Sequence, residues 1–485
     1  MTEITVGWIA EVTGGRLYRP RPAQDKLTGF AIDSRRVSPG QFFIALEGER
    51  TDGHLYLKEA FARGASGALV ERAKLELACD LFNIVAVEDT KAALWQLARA
   101  WREGFRARVP IIGITGSSGK TTTKELLWQM LATRFRAYRS PGNYNTEYGL
   151  PLAILGMPPD AEVGVFELAL QRPGEIGRLA ELLRPQVGVI TTVGDAHLGF
   201  FRSREELAAA KWELVERLSL GDSMMAIVNL DVSHLRERAE GLAKGKPRVI
   251  GFGLSSLAPY RATEIDDTWL EGLRFTLSTP RGELPVKTKL LGQLNVVNAL
   301  AAATAAMELG VELRQVGEAL EGFRPFPHRL ALVHSPLGLI IDDSYNASPA
   351  AVRAALEALG RLKAGTSRRK VLVLGDMLEL GRWAEMAHRE LARAIAAAGV
   401  ELFFALGELT RLTARELLEL GWAPERVVTA SCLAELVRAL RERLPDERNL
   451  ILVKGSRAME LDKLVVALTG GACGSDLGLA ENEES

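Results

Sequence analysis

The stretch Val109 to Glu125, VPIIGITGSSGKTTTKE, constrains this chain more than any other. Its first residues are apolar and rich in β-branched side chains and read as a buried parallel strand, and Lys124-Glu125-Leu126-Leu127 opens a helical pattern. A glycine-rich turn lies between them. A turn ending in Gly119-Lys120-Thr121 at a helix N-terminus aims free backbone N–H groups, the positive end of the helix dipole and one ammonium at a single point. That point suits a polyphosphate, with Lys120 reaching the β- and γ-phosphates and the Thr121 hydroxyl ligating magnesium. Five residues separate Gly113 from Gly119, one more than the usual phosphate loop has. Strand, turn, Lys-Thr and helix still follow in the order such a loop requires, which favours nucleotide binding over an ordinary Gly/Ser turn.

The chain, 485 residues long, exceeds what one core supports, and at about 150 residues per domain roughly three domains are expected. The expected class is α/β. Residues 1–108 form a small N-terminal α/β domain with strands at 42–46, 67–70 and 84–87. Residues 109–327 form a central parallel-sheet domain with strands at 109–115, 162–167, 187–193 and 224–229. Residues 328–485 form a C-terminal Rossmann-like α/β domain whose tail frays from about Gly470. Residues 252–290 read as a stretch of lower order with short strands. Gly322 to Arg329, with two prolines, reads as a boundary.

A net charge of -1 gives no reason to expect nucleic acid or an acidic membrane surface. Cys79, Cys432 and Cys473 are scattered and odd in number, so no disulfide framework or metal knuckle is legible. The N-terminus lacks a basic start followed by an apolar run, and no 18-residue apolar stretch occurs, so a cytoplasmic protein without membrane insertion is expected.

Open parallel sheets bind ligands at the carboxyl ends of their strands, which singles out the residues just beyond them. Glu167 ends one strand and reads as a metal ligand. His197, after the next, is balanced between ligand and structural histidine. Lys211, on an amphipathic helix at 204–218, reads on pattern alone as solvated. Asn295 and Asn298, on an otherwise apolar helix at 293–309, need partners in backbone or ligand. Asp33-Ser34-Arg35-Arg36 before a Pro-Gly turn reads either as a solvated loop or as a contact to an anionic, sugar-bearing substrate. In the last third of the chain, loops at 342–349, 375–377, 407–408 and 454–457 all follow strands and point to one functional edge.

These residues resemble the Mur ligases of bacterial cell-wall synthesis over nearly the whole length. The DSR, PG and DGH text of residues 33–54 resembles a uridine-nucleotide domain. ITGSSGKTTTKE resembles the family's ATP loop, which has the same glycine spacing. Residues 342–349, 374–381 and 453–457 resemble signatures of the dipeptide-adding branch. The chain departs from the family pattern at Thr192, Leu294 and residues 168–171.

The resemblance implies that ATP phosphorylates the free carboxylate of UDP-N-acetylmuramoyl-tripeptide and that the amine of D-alanyl-D-alanine displaces phosphate from the acyl phosphate, in a monomeric enzyme. It implies that Thr115, Gly116, Ser117, Ser118, Gly119, Lys120, Thr121 and Thr122 hold ATP, with Asn298 at the adenine and Arg329 and Asp343 closing over it. Thr121 and Glu167 would hold one magnesium ion, and His197 with a carbamylated Lys211 a second. Asn143 or Asn145 would face the transferring phosphate, and Ser34, Arg35, Asn346 and Lys454 would meet substrate. A sibling such as folylpolyglutamate synthase, or a nucleotide-gated protein that binds ATP without ligation, are the alternatives.

Overall fold

The structure, a computed structural model, describes residues 3–22, 25–48, 51–105, 109–194, 201–218, 224–242, 247–363 and 368–470. Three sheets organise it. The first runs in the order Arg16–Tyr18, Ile84–Val87, Gly67–Glu71, Gln41–Ile44 and Gly29–Ala31, antiparallel only at its first pair. The second begins at Ala137–Arg139 and continues through Val163–Glu167, Ile111–Thr115, Val187–Ile190, Met225–Asn229 and Arg248–Gly253, all parallel. The third sets Gly338–Asp343, Asn449–Lys454, Arg369–Gly375, Leu402–Leu406 and Val427–Ala430 in parallel, with Ala331–Ser335 antiparallel on one edge.

The near-continuous apolar runs of the inner strands follow from burial on both faces, the usual state of a parallel sheet covered by helices. The helix expected from Lys124 starts at Lys120, because Gly119 takes φ 80° as its N-cap and lets the threonine run turn helical. Thr123 and Lys124 are fully buried, so tertiary packing overrides the modest helix propensity of threonine.

The stretch expected to be of lower order is instead the most extended part of the chain. Tyr260–Trp269, Gly272–Thr279 and Gly282–Thr288 are long strands. The second pairs antiparallel with the first and the third antiparallel with the second, and the first joins the end of the central sheet. Their turns rely on Gly272 and Gly282, at φ 126° and 120°, where a side chain would be strained. Phe275, Leu277 and Val286 point into the same cluster as Val296 and Leu300 of helix Gln293–Glu308. The arm also touches the C-terminal part: Arg361 donates to both carboxylate oxygens of Asp267 at 3.0 Å, and the Lys363 N–H donates to Thr268 O at 2.8 Å.

Packing couples the three sheets unequally. One hydrophobic cluster runs from Val6, Phe42, Leu94 and Trp101 into Leu150, Phe166 and Leu179, so the N-terminal and central sheets share a core. Trp101 Nε1 donates to Met157 O at 3.1 Å and Arg102 Nε to Leu183 O at 2.6 Å across the same seam. The clusters around the third sheet take only Leu291 and Leu270 from the chain before residue 330, among the described residues. At the crossover into that sheet His328 and Leu330 both sit in the left-handed region, at φ 62° and 53°, on either side of Arg329. No helix among the described residues is long and apolar enough to cross a membrane.

Candidate active site

A cleft of about 850 Å³ lies where the central sheet's carboxyl edge faces the third sheet. The phosphate loop forms its floor. Ser117 N–H donates to Thr192 O at 2.9 Å, Ser118 N–H to Thr192 Oγ1 at 3.2 Å, and the Thr191 hydroxyl to Ser118 O at 2.7 Å. Thr192 therefore supports the loop from the neighbouring strand end. The fit is tight enough that two glycines have no substitute. A Cβ on Gly116 would lie 1.9 Å from Thr191 Oγ1, and one on Gly119 2.0 Å from Asn298 Oδ1. Gly119→Ala combines that clash with an unfavourable φ. The variant is expected to lose nucleotide affinity and about 1 kcal/mol or more of stability, checked by calorimetric titration with ATP and by thermal melting.

Lys120 curls back over the loop, its Nζ donating to Gly116 O at 3.0 Å. Burial lowers its pKa, opposed by Glu167 and reinforced by Arg329. Thr121 and Thr122 follow at the helix start and line the cleft, whereas Thr115 is buried beneath the loop with its hydroxyl unpaired. The Thr121 hydroxyl donates to Glu167 Oε2 at 2.9 Å, and Asn145 Nδ2 donates to Glu167 Oε1 at 2.8 Å. Burial would push the Glu167 carboxyl up, but Lys124, Lys120, Asn145 and Arg329 together hold it below the ordinary carboxylate value. It stays an anion. Lys124, which sequence reasoning passed over, donates to Ser140 O at 2.9 Å and Gly142 O at 2.8 Å and so fixes the turn that presents Asn143 and Asn145. Its signal is its position four residues after Lys120, on the same helix face.

From the opposite wall Arg329 stacks on the Tyr345 ring, 3.8 Å from guanidinium carbon to centroid, and reaches Thr121 Oγ1 at 3.5 Å. Asp343 and Lys454 stand side by side on adjacent strands, with Lys454 Nζ 2.5 Å from Asp343 Oδ2 and 2.9 Å from Asn346 O. Thr121, Glu167, Asn143, Asn145, Arg329, Asp343, Asn346 and Lys454, distant in sequence, thus meet in one cleft.

Asn295 and Asn298 also line the cleft, and the remaining candidates fall elsewhere. Asn298 lies directly under Gly119, fully buried, donating through Nδ2 to Asn295 Oδ1 at 2.9 Å while its own Oδ1 has no partner. Ser34 and Arg35 do not line the cleft. The Ser34 hydroxyl donates to Glu59 at 2.8 Å, and Arg35 forks onto Asp33, whose pKa that hydrogen bond lowers. His197 lies outside the described residues. Lys211 corrects the solvated reading. It sits in the middle of helix Arg204–Glu216, 1% exposed, with no hydrogen bond or ion pair among the described residues. Burial, and then the charge of Lys120, drives its pKa well below the ordinary lysine value. The sequence gives no notice of Trp95 and Arg178, which line the cleft only because the fold returns them there, whereas Tyr345 belongs to the 342–349 loop already marked.

A phosphate-binding loop, a buried carboxylate beside it and a facing wall of mixed charge define an ATP-dependent group-transfer enzyme. The chain matches the Mur ligase middle domain over residues 114–306, the Mur ligase, glutamate ligase domain over 328–457 and the Mur ligase family, catalytic domain over 26–102. It belongs to the Mur ligase family. The UDP-N-acetylmuramoyl-tripeptide--D-alanyl-D-alanine ligase of Bacillus subtilis is 34% identical over 96% of this chain and 98% of its own. The Acinetobacter baumannii UDP-N-acetylmuramoylalanyl-D-glutamyl-2,6-diaminopimelate--D-alanyl-D-alanyl ligase superposes with TM-score 0.81 at 30% identity, covering 96% of this chain and 98% of that one. MurF ligase from Thermotoga maritima, in complex with ADP, gives 0.75 at 27%, covering 91% and 97%.

Proposed function

We propose that this chain joins D-alanyl-D-alanine to UDP-N-acetylmuramoyl-tripeptide at the expense of ATP, in peptidoglycan precursor synthesis, as the relatives' names describe for them. The observation that carries the reading is the junction of the Lys120 loop and the Thr121–Glu167–Asn145 cluster with Asp343 and Lys454 in one cleft. A carboxylate is a poor electrophile until one of its oxygens becomes a leaving group. Transfer of the γ-phosphoryl group to the tripeptide carboxylate makes an acyl phosphate and ADP. The dipeptide amine then attacks the acyl carbon, an amide C–N bond forms, the C–O bond to phosphate breaks, and the amine loses a proton.

Lys120 and the loop N–H groups neutralise the charge developing on the transferring phosphoryl oxygens. Arg329, already beside Thr121, adds a second cation from the opposite wall. The Thr121 hydroxyl and the ionised Glu167 suit a hard divalent cation, and magnesium held there would spread phosphate charge. Asn143 and Asn145 face the transferring group, and Asn346 and Lys454 meet the incoming substrate. We read the enzyme as a cytoplasmic monomer whose N-terminal part takes the uridine nucleotide. The test is direct: release of ADP and phosphate that requires both UDP-tripeptide and D-alanyl-D-alanine supports it, and ATP binding without substrate-dependent turnover overturns it.

Because the third sheet shares little core with the rest, Arg329 and Asp343 are expected to engage nucleotide through a rigid-body swing about Phe323 to Leu330. X-ray scattering should report a smaller radius of gyration with ATP analogue plus UDP-tripeptide than without. Superimposable profiles would rule the swing out.

A further inference from the structure

The cleft extends past the phosphate loop along a wall whose residues have no part in the phosphoryl chemistry described above. Trp95, Glu147, Tyr148, Gln171 and Arg178 line it. Trp95 comes from helix Thr90–Glu103 of the N-terminal part and Arg178 from helix Glu175–Leu183 of the central part, so the wall spans their shared seam. Trp95 Nε1 donates to Glu147 O at 2.9 Å, which fixes the turn carrying Asn145 and Glu147 against the N-terminal helix.

The charges on this wall are unevenly committed. Glu147 is held by Lys91 at 2.8 Å, and Lys91 also stacks on Tyr148 at 4.7 Å. The Glu175 carboxylate accepts from the Gln171 N–H at 2.6 Å and the Arg172 N–H at 3.1 Å, which fixes it as the cap of its own turn. Both acidic groups near Arg178 are therefore engaged by other donors. Among the described residues Arg178 keeps only the outer edge of Glu147, at 3.8 Å, and a loose stack on Trp95 at 5.6 Å. Its side chain is 62% exposed in the cleft, so most of its guanidinium donors face open space beside a flat aromatic ring. A planar, permanently charged fork presented in this way matches a carboxylate.

Location decides which carboxylate. Glu147 is two residues beyond Asn145, and Asn145 is hydrogen-bonded to Glu167 at the reacting centre. Two residues span at most about 7 Å of backbone, so the turn that Arg178 touches through Glu147 is the one that carries Asn145 to the reacting centre. Lys120, Arg329 and Asn145 already surround the Thr121–Glu167 pair where the reacting group is placed, which leaves Arg178 for another carboxylate of the same peptide.

We infer that Arg178 binds a second, non-reacting carboxylate of the peptidyl donor and sets the enzyme's preference for donors that carry it. The inference rests on the ligase reading. A donor of the alanyl-D-glutamyl-2,6-diaminopimelate type offers two such groups, the free carboxylate of the glutamyl residue and the distal carboxylate of diaminopimelate. A donor ending in lysine offers only the glutamyl group.

The experiment measures KM and kcat for Arg178→Gln and Arg178→Lys with both donors, under saturating ATP and D-alanyl-D-alanine, together with ATP affinity in the absence of donor. Arg178→Gln should raise donor KM roughly tenfold or more with kcat little changed, and Arg178→Lys should recover part of the loss, since it keeps the charge without the fork. If KM rises only for the diaminopimelate donor, the distal carboxylate is the partner. If it rises equally for both, the glutamyl carboxylate is. ATP affinity should not move, because Arg178 touches none of the phosphate loop. Unchanged KM with both donors, or a fall confined to kcat, overturns the inference and leaves the ligase reading standing. Absence of ligation in the wild type would instead defeat that reading itself.

Discussion

Lys120→Ala is expected to fold normally and lose at least a hundredfold in ligation rate. One preorganised donor to a transferring group is typically worth about 3 to 4 kcal/mol of barrier, and Lys120 is the cation rooted in the loop itself. Its Nζ rests on Gly116 O at 3.0 Å, so the side chain is already folded over the place a phosphate would take. Burial lowers its pKa in the nucleotide-free chain, which means the ammonium is poorly solvated there and gains most when an anion arrives. The helix is capped by the Gly119 backbone rather than by the Lys120 side chain, so removing the ammonium leaves its start in place. Melting temperature should therefore stay close to wild type while ADP release falls. Lys120→Arg should not rescue fully, since a planar fork cannot replace a point charge donating to one carbonyl. Wild-type turnover in a folded Lys120→Ala protein would remove the phosphate assignment.

Residues whose place in the cleft depends on local backbone are legible in the sequence, and residues whose place depends on where the chain returns are not. The Lys120 loop could be read because strand, glycine turn and helix are consecutive and their chemistry is local. Glu167 could be read because the end of a parallel strand is a place defined by pattern. The 260–288 arm holds the expected strands but longer and better ordered than the sequence suggests, because they mix polar and apolar residues around Pro280 and Pro285 and their burial against Val296 and Leu300 is a tertiary event. Asn295 and Asn298 were correctly marked as needing partners, but the partner of Asn298 Nδ2 is Asn295, and the closeness of Asn298 to Gly119 arises from a helix far along the chain. Trp95 and Arg178 carry no motif, since their seam exists only when two helices from different sheets share a core.

Lys211→Ala should abolish most ligation, for a reason opposite to that of Lys120. An ammonium within about 4 Å of a divalent cation is repelled by several kcal/mol even at an effective dielectric of about 20, so a charged Lys211 cannot be a ligand. The structure disfavours the charge: Lys211 is 1% exposed, unpaired among the described residues, and its pKa is driven down by burial and by Lys120. A neutral amine reacts with carbon dioxide, forming an N–C bond and releasing a proton, and the resulting carbamate offers two oxygens suited to magnesium. Short carboxylic acids are then expected to restore part of the activity of Lys211→Ala by occupying the vacated anionic position. Stability supplies an independent readout. Between the lowered folded pKa and the ordinary 10.5 the unfolded chain binds a proton that the folded chain does not, so wild-type stability rises with pH across that window, and Lys211→Met should flatten the rise. A Lys211→Ala enzyme that ligates at the wild-type rate would discard both the carbamate and the second metal, leaving the ATP site around Lys120 untouched.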